Sequence, residues 1–263
     1  MQDKKLRVAC VGTGYFSRFH LDAWRRIDPV ELVGATDRDL ARAQATGLPA
    51  FENPETMLEA TRPDLVDLVV PPSEHLALVR TCIAGGTTTI ICQKPFCQNL
   101  DEARVAVQAA ERAGVQLIVH ENFRFQPWYR KMKEAIEEGL LGELHQFTFR
   151  LRTGDGQGKE AYLSRQPYFQ TMERFLIHET GVHWLDTFRF LFGEPVFVYA
   201  DLRKMNPAIR GEDAGYMILE FKNGLRALFD GNRHLDHSSN DTRTTFGEGL
   251  LEGTKGTIEL SGT

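Results

Sequence analysis

Positive charge is the scarce sign in this chain: 31 lysines and arginines stand against 36 aspartates and glutamates, for a net charge of -5. Nucleic-acid binding needs a basic surface that displaces counterions from phosphate, so DNA and RNA are not expected as partners. No apolar run approaches the roughly 20 residues that span a bilayer, so no membrane partner is expected either. Met1-Gln2-Asp3-Lys4-Lys5 lacks the apolar core of a secretory leader, and we expect a cytoplasmic location. Cysteine is sparse as well. Cys10, Cys82, Cys92 and Cys97 show no paired metal spacing, and they read as free thiols in a reducing compartment, with no metal site. Internal repeats and low-complexity linkers are missing too.

What is present is an ordinary globular composition, 42% hydrophobic and 25% charged, over 263 residues, a length that suits two domains. Leu6 to Val11 is a short apolar run that reads as a buried strand. Gly12 and Gly14 make a tight turn, and a helix follows from Tyr15. Strand, glycine turn and helix N-terminus together form a phosphate cradle, because backbone N–H groups and the helix dipole both favour an anion. Ser17 supplies the small residue that the dinucleotide fingerprint asks for in third place. A second strand, Val30 to Thr36, leads into Asp37, about 20 residues past the glycines, where a carboxylate can take a ribose 2′-hydroxyl. The plainer alternative is a strand–turn–helix corner with Asp37 as a turn residue.

Helices at 39–46, 54–60, 74–84 and 100–113 alternate with strands at 65–70, 87–92 and 115–119. That alternation implies parallel strands joined by right-handed crossovers, hence a doubly wound α/β sheet. Ligands sit beyond the C-terminal strand ends of such sheets. The expected cofactor contacts are therefore Gly12, Thr13, Gly14, Tyr15, Phe16, Asp37, Arg38, Pro71, Pro72, His75, Gln93 and Lys94. Asp37 favours NAD over NADP because it repels a 2′-phosphate, although Arg38 beside it could accommodate one.

After residue 121 the pattern changes. A helix at 128–138, a strand at 143–152 and an apolar helical run at 175–192 precede strands at 196–202, 214–221 and 225–230. Lys222-Asn223-Gly224 is a hairpin turn, so an α+β domain with an antiparallel sheet is expected over 122–263, after a first domain over 1–121. Gly154 to Gly158 reads as a mobile loop.

Lys94 follows a buried strand at the ligand end of the first sheet. There it is partly out of water and near a nicotinamide's positive charge, both of which favour a neutral amine able to exchange protons. A surface lysine at a strand end is the alternative. In His178-Glu179-Thr180-Gly181-Val182-His183 the two histidines are five apart, about 140° around an α-helix, too far for a shared metal. Glu179 and His183 are four apart and share a face, a carboxylate above an imidazole that suits acid–base work. Asp186 could orient or cap. Asn122, Arg124, Arg165, Gln166, Tyr168 and Arg174 offer polar groups to a ligand, with domain-interface hydrogen bonds as the alternative use.

Five motifs, Gly12-Thr13-Gly14, Pro71-Pro72-Ser73-Glu74-His75, Gln93-Lys94-Pro95, Glu121-Asn122-Phe123-Arg124-Phe125 and Glu179 to Asp186, are together specific. On them the chain resembles the Gfo/Idh/MocA family (glucose–fructose oxidoreductase, inositol dehydrogenase, rhizopine catabolism) along nearly its whole length. The resemblance implies an N-terminal Rossmann domain and a C-terminal domain with an open-faced antiparallel sheet, with NAD or NADP between them. It implies hydride transfer between nicotinamide and a hydroxyl-bearing carbon of a sugar, inositol or related polyol. The family's catalytic lysine falls on Lys94, and its acid and histidine on Glu179 and His183; which of Lys94 and His183 is the base stays open. Lys94, Asn122, Arg124, Arg165, Tyr168, Glu179 and His183 are the implied substrate contacts, and a cis bond is implied before Pro95.

Three departures stand out. Gln93 replaces the family's usual glutamate, Glu179 its usual aspartate, and the chain ends at Thr263, earlier than relatives do, which reads as a shortened or truncated member. Two rival activities fit the same motifs: an NAD-dependent glycoside-cleaving enzyme, and a non-catalytic nucleotide- or sugar-sensing protein. An open apolar sheet face implies a homodimer or homotetramer.

Overall fold

The computed structural model describes residues 4–262; Met1-Gln2-Asp3, part of the stretch read as lacking a leader's core, lie outside the described residues. The chain divides into two compact units, residues 1–120 and 121–263, one residue from the expected boundary.

Unit 1 holds six parallel strands: β1 (Leu6–Val11), β2 (Val30–Thr36), β3 (Ala50–Phe51), β4 (Leu65–Leu68), β5 (Thr89–Gln93) and β6 (Gln116–His120). They pair in the order β3-β2-β1-β4-β5-β6. The crossovers carry α1 (Ser17–Arg25), α2 (Leu40–Ala45), α3 (Pro54–Thr61), α4 (Pro72–Ala84) and α5 (Leu100–Ala113). Local chemistry starts these helices where they start. Asp39, Asn53 and Asn99 cap α2, α3 and α5 with side-chain oxygens that accept backbone N–H groups, and proline opens α3 and α4. The central strands are buried on both faces, so they read as continuous apolar runs. The strand order reverses between β1 and β4, the switch point beyond which doubly wound sheets bind ligands. All four cysteines lie buried and reduced in this unit. Burial pushes the Cys82 and Cys97 thiols up to about 12 and about 11, which keeps them protonated and inert.

Unit 2 holds α6 (Pro127–Glu137), β7 (Leu144–Leu151), α7 (Val182–Phe192), β8 (Pro195–Arg203), β9 (Ala214–Phe221), β10 (Arg226–Asn232), β11 (Gly247–Gly253) and β12 (Gly256–Leu260). Its sheet runs β12-β11-β7-β10-β9-β8. The pairing is antiparallel throughout except for the central β7–β10 pair, which is parallel. Alternation sends Phe147, Phe149, Met217, Leu219, Phe221 and Phe229 into one core with Tyr129, Met132, Trp184 and Phe188. The opposite face carries a row that crosses the sheet: Tyr199, Ile218, Leu228, Thr148 and Leu250 stand in register. Tyr199 is 50% and Leu250 38% exposed.

Three local expectations are corrected. The apolar run at 175–192 is not one α-helix: Leu176–Gly181 form a π turn in which Val182 N–H reaches the Ile177 carbonyl, and α7 starts only at Val182. β11 and β12 were not read as strands because glycines interrupt the alternation. One reason for those glycines is steric, since a Cβ at Gly249 would stand 3.2 Å from the Phe147 ring. The loop at 154–158, expected to be mobile, is tied down. Asn206 Nδ2 donates to the Gly156 and Gly158 carbonyls at 2.8 Å each, and Gly156 N–H donates to the Arg233 carbonyl at 2.9 Å.

Gly12 ties the first turn to the sheet. Its φ is +90°, and a Cβ there would stand 2.3 Å from the Val69 carbonyl oxygen. Gly12→Ala is therefore expected to destabilise unit 1 by at least about 2 kcal/mol through backbone strain and clash. Chemical denaturation checks this, and an unchanged midpoint would refute it.

Candidate functional site

The turn after β1 is built to meet an anion. No side chain caps the N-terminus of α1, so its first N–H groups are not satisfied by a cap. Over Gly14 the space is open, with no atom within 4 Å of where a Cβ would lie. The Asp37 carboxylate is fixed by Thr13, whose N–H and hydroxyl donate to Oδ2 at 2.7 and 3.1 Å. Burial pushes the Asp37 carboxyl up, but N–H groups of Asp39 and Thr13, the Thr13 hydroxyl and the nearby Arg42 outweigh it and hold the group below its ordinary range. Arg38 points to Glu74, 2.6 Å away at the start of α4, and is largely exposed. Tyr15 and Phe16 are exposed, with the Arg18 guanidinium 4.2 Å over the Tyr15 ring. These features fit a dinucleotide: amides for its phosphates, room for close approach, and an ionised carboxylate at the end of β2.

Pro71 and Pro72 turn the chain from β4 into α4 and place His75 in the interior. His75 donates from Nε2 to the Val70 carbonyl at 2.9 Å and accepts the Cys97 N–H at Nδ1 at 3.4 Å. Burial lowers its pKa to about 4, so the imidazole is neutral. At the end of β5 the Lys94–Pro95 bond is cis, and Lys94 N–H donates to Gln93 Oε1 at 2.7 Å. The other end of that amide, Gln93 Nε2, donates to His20 Nε2 at 2.9 Å. His20 Nδ1 in turn donates to Asp67 Oδ2 at 2.9 Å, and Trp24 donates to the same oxygen at 2.8 Å. A buried chain therefore runs from Asp67 through His20 and Gln93 to the Lys94 backbone.

In unit 2, His183 opens α7 and is 7% exposed. Its ring stacks on Phe123, with centroids 3.9 Å apart and planes 7° from parallel. The carboxylate against its Nδ1 belongs to Glu121, with Oε1 at 2.7 Å and Oε2 at 2.8 Å. The α-helical spacing argument that paired His183 with Glu179 does not transfer, because a π turn advances by a smaller angle per residue. Glu179 accepts the Thr180 hydroxyl at 2.6 Å and stands 3.9 Å from the Arg233 guanidinium. Arg233 is buried among Tyr162, Phe169 and Phe175 and donates to Asp155, the Tyr162 hydroxyl and Thr180 Oγ1. Arg165 adds a second cation on Asp155, at 3.3 Å. Tyr168 lies near enough to Glu179 that burial and that negative charge together push its phenol pKa up. The structure thus brings Glu179, Tyr168 and Arg165 onto one cluster. Asn122 is exposed at the start of the turn Phe123–Phe125. Arg124 is held by Asp186 in a two-pronged ion pair.

Asp67, His20, Asp155 and Arg233 escaped the sequence reading, and Glu121, quoted there as the first residue of a motif, was given no role. Only Asp67 carried a signal, as a charge inside the apolar run Leu65 to Val70. Among the described residues no three His, Cys, Asp or Glu side chains converge as metal ligands, and no helix is long and apolar enough to cross a membrane.

Comparison with known proteins follows the same division. A model of an oxidoreductase family with an NAD-binding Rossmann fold, Gfo/Idh/MocA, matches residues 6–121, and a Gfo/Idh/MocA C-terminal domain model matches residues 129–259. A D-apiose dehydrogenase of Paraburkholderia graminis is 37% identical over 98% of this chain and 68% of its own length. A D-apiose dehydrogenase of Rhizobium rhizogenes is 31% identical over 99% of this chain and 75% of its own length. The crystal structure of an oxidoreductase from Agrobacterium radiobacter, in complex with NAD+, L-tartaric acid and magnesium, aligns with a TM-score of 0.89 at 30% identity, over 98% of this chain and 75% of that one.

Neutral, buried His75 makes unit 1 sensitive to acid. Its folded value near 4 lies below the ordinary histidine value of 6.5, so the unfolded chain takes up the proton first. The stabilisation is complete above about pH 6.5 and is lost as pH falls toward about 4, amounting to about 3 kcal/mol. Melting curves across that window are expected to fall more steeply for the native chain than for His75→Gln, and equal slopes would refute the assignment.

Proposed function

The chain belongs to the Gfo/Idh/MocA oxidoreductase family, and from that premise we propose that it oxidises a CH–OH carbon of a sugar or related polyol, with NAD preferred over NADP. The observation that carries this reading is the ionised Asp37 at the end of β2, beside an uncapped helix N-terminus. Gly14 and the N-terminus of α1 would hold the pyrophosphate, with Gly12 and Thr13 forming the turn, and Asp37 would take the ribose hydroxyls. A 2′-phosphate there would meet a carboxylate, while Arg38 is already paired with Glu74. Pro71, Pro72, His75, Gln93 and Lys94 would line the remainder, with Tyr15 and Phe16 at the rim. Bound NAD supplies the hydride acceptor.

The remaining work falls to side chains. In unit 2 His183 takes the hydroxyl proton, and in unit 1 Lys94 is the candidate for polarising a substrate oxygen. Glu179, Tyr168, Asn122 and Arg165 bind the other substrate hydroxyls. We read Arg124 as fixing its turn to α7 through Asp186, not as a substrate contact. Apiose is the first sugar to test, because two dehydrogenases named for it are similar to this chain.

Purified protein is expected to reduce NAD with D-apiose or another sugar or polyol, more efficiently than NADP, and Lys94→Ala is expected to lower kcat at least about 100-fold. Tighter binding of NADP, or full activity in Lys94→Ala, would overturn the corresponding assignment. NAD that stays bound through purification and turns over without net NADH would favour glycoside cleavage. The row on the outer face of the unit 2 sheet, exposed at Tyr199 and Leu250 and half-buried between them, supports a homodimer or homotetramer. Light scattering is expected to give at least a dimer, which Leu250→Lys weakens, and a monomeric native chain at micromolar concentration would refute it.

A further inference from the structure

We propose that Glu121 is the positioning carboxylate of the reaction: it sets the tautomer of His183 and makes Nε2 the atom that exchanges the substrate proton. The inference rests on the reading of His183 as a proton-exchanging residue and adds a partner that the family motifs do not assign.

The geometry is specific. Both Glu121 oxygens lie within 2.8 Å of His183 Nδ1, and Oε1 also accepts the Phe123 N–H at 3.0 Å. The carboxylate is thereby fixed by the backbone of the same turn whose Phe123 ring stacks on the imidazole. The two side chains are 10% and 9% exposed, so water competes little with the contact. An ionised carboxylate can only accept, so Nδ1 must carry a proton, and the basic lone pair of the neutral ring then resides on Nε2. When Nε2 takes up a proton, the adjacent negative charge stabilises the imidazolium that results.

The other charges around the ring are compensated on their own side. Arg124, from the turn that carries Glu121, is paired with Asp186 of α7. Glu179, on the π turn before α7, faces Arg233 from the end of β10.

Two measurements test the role. The first is the nitrogen NMR spectrum of histidine-labelled protein, titrated upward in pH until the His183 ring is neutral, with His183 assigned by its loss in His183→Asn. The Nδ1–H tautomer is expected in the native chain and a shifted tautomer balance in Glu121→Gln. The second is steady-state kinetics. Glu121→Gln is expected to bind NAD and melt as the native chain does, to lose about 100-fold in kcat, and to move the acid limb of kcat/KM to lower pH. Glu121→Asp should recover part of both. An Nε2–H tautomer in the native chain, or an unmoved acid limb in Glu121→Gln, overturns the proposal. Should no sugar or polyol be turned over, the dehydrogenase reading fails while the NMR measurement still decides the role of Glu121.

Discussion

A polar side chain taken out of water must find hydrogen-bond partners inside the protein, and each unit of this chain is arranged around one such group. In unit 1 it is Asp67, fully buried within β4. Its oxygen organises His20 and Trp24 of α1, and through His20 the amide of Gln93. In unit 2 it is Arg233, 3% exposed and enclosed by three aromatic rings. Burial opposes its charge, and the carboxylates of Asp155 and Glu179 with the Tyr162 oxygen more than restore it. Both chains of contacts end on the candidate chemistry. The first reaches the backbone of Lys94, and the second reaches Glu179 through Thr180. Each candidate group is thus tied to a dry interior, where a hydrogen bond is stronger than at a wet surface.

The same constraint accounts for Gln93, where the family more often has glutamate. His20 presents a donor to Asp67 and therefore an acceptor at Nε2. A carboxylate opposite that lone pair would be a second acceptor and repel it, whereas an amide offers N–H to His20 and still has an oxygen for the Lys94 N–H. Gln93 is in this sense the complement of His20, and the choice of an amide at position 93 follows from the partner behind it.

How much of this was legible in the sequence depends on the range of the interactions. The turn Gly12 to Gly14, the caps of α2, α3 and α5, and the hairpin at Asn223-Gly224 are decided by neighbours a few residues apart, and they were readable. The parallel alternation of unit 1 was readable because strands buried on both faces leave continuous apolar runs. β11 was missed because its glycines answer to distant neighbours, Gly249 to the Phe147 and Phe149 rings and Gly247 to the Arg150 carbonyl, on a strand about a hundred residues earlier. The loop at 154–158 looked mobile because Asn206 and Arg233, which tie it down, are distant in sequence. The π turn hid for a different reason: one extra residue per turn changes which side chains share a face without changing the composition. Glu121 could not have been matched to His183 by any spacing rule, since the two are 62 apart.

Two carboxylates near one histidine raise the question of which serves it, and the charges answer. Glu179 lies within 4 Å of a buried guanidinium and accepts a hydroxyl from its own neighbour, so much of its field is cancelled before it reaches the ring. Glu121 has both oxygens within 2.8 Å of His183 Nδ1 and is fixed by the Phe123 amide. The Coulomb interaction falls with distance and with every compensating charge nearby. In our proposal the carboxylate in contact with Nδ1 therefore controls the imidazole, while Glu179, held beside Arg233, is suited to receive a substrate hydroxyl. One unit can in this way carry an acid–base group and a binding carboxylate a few residues apart without the two competing for the same proton.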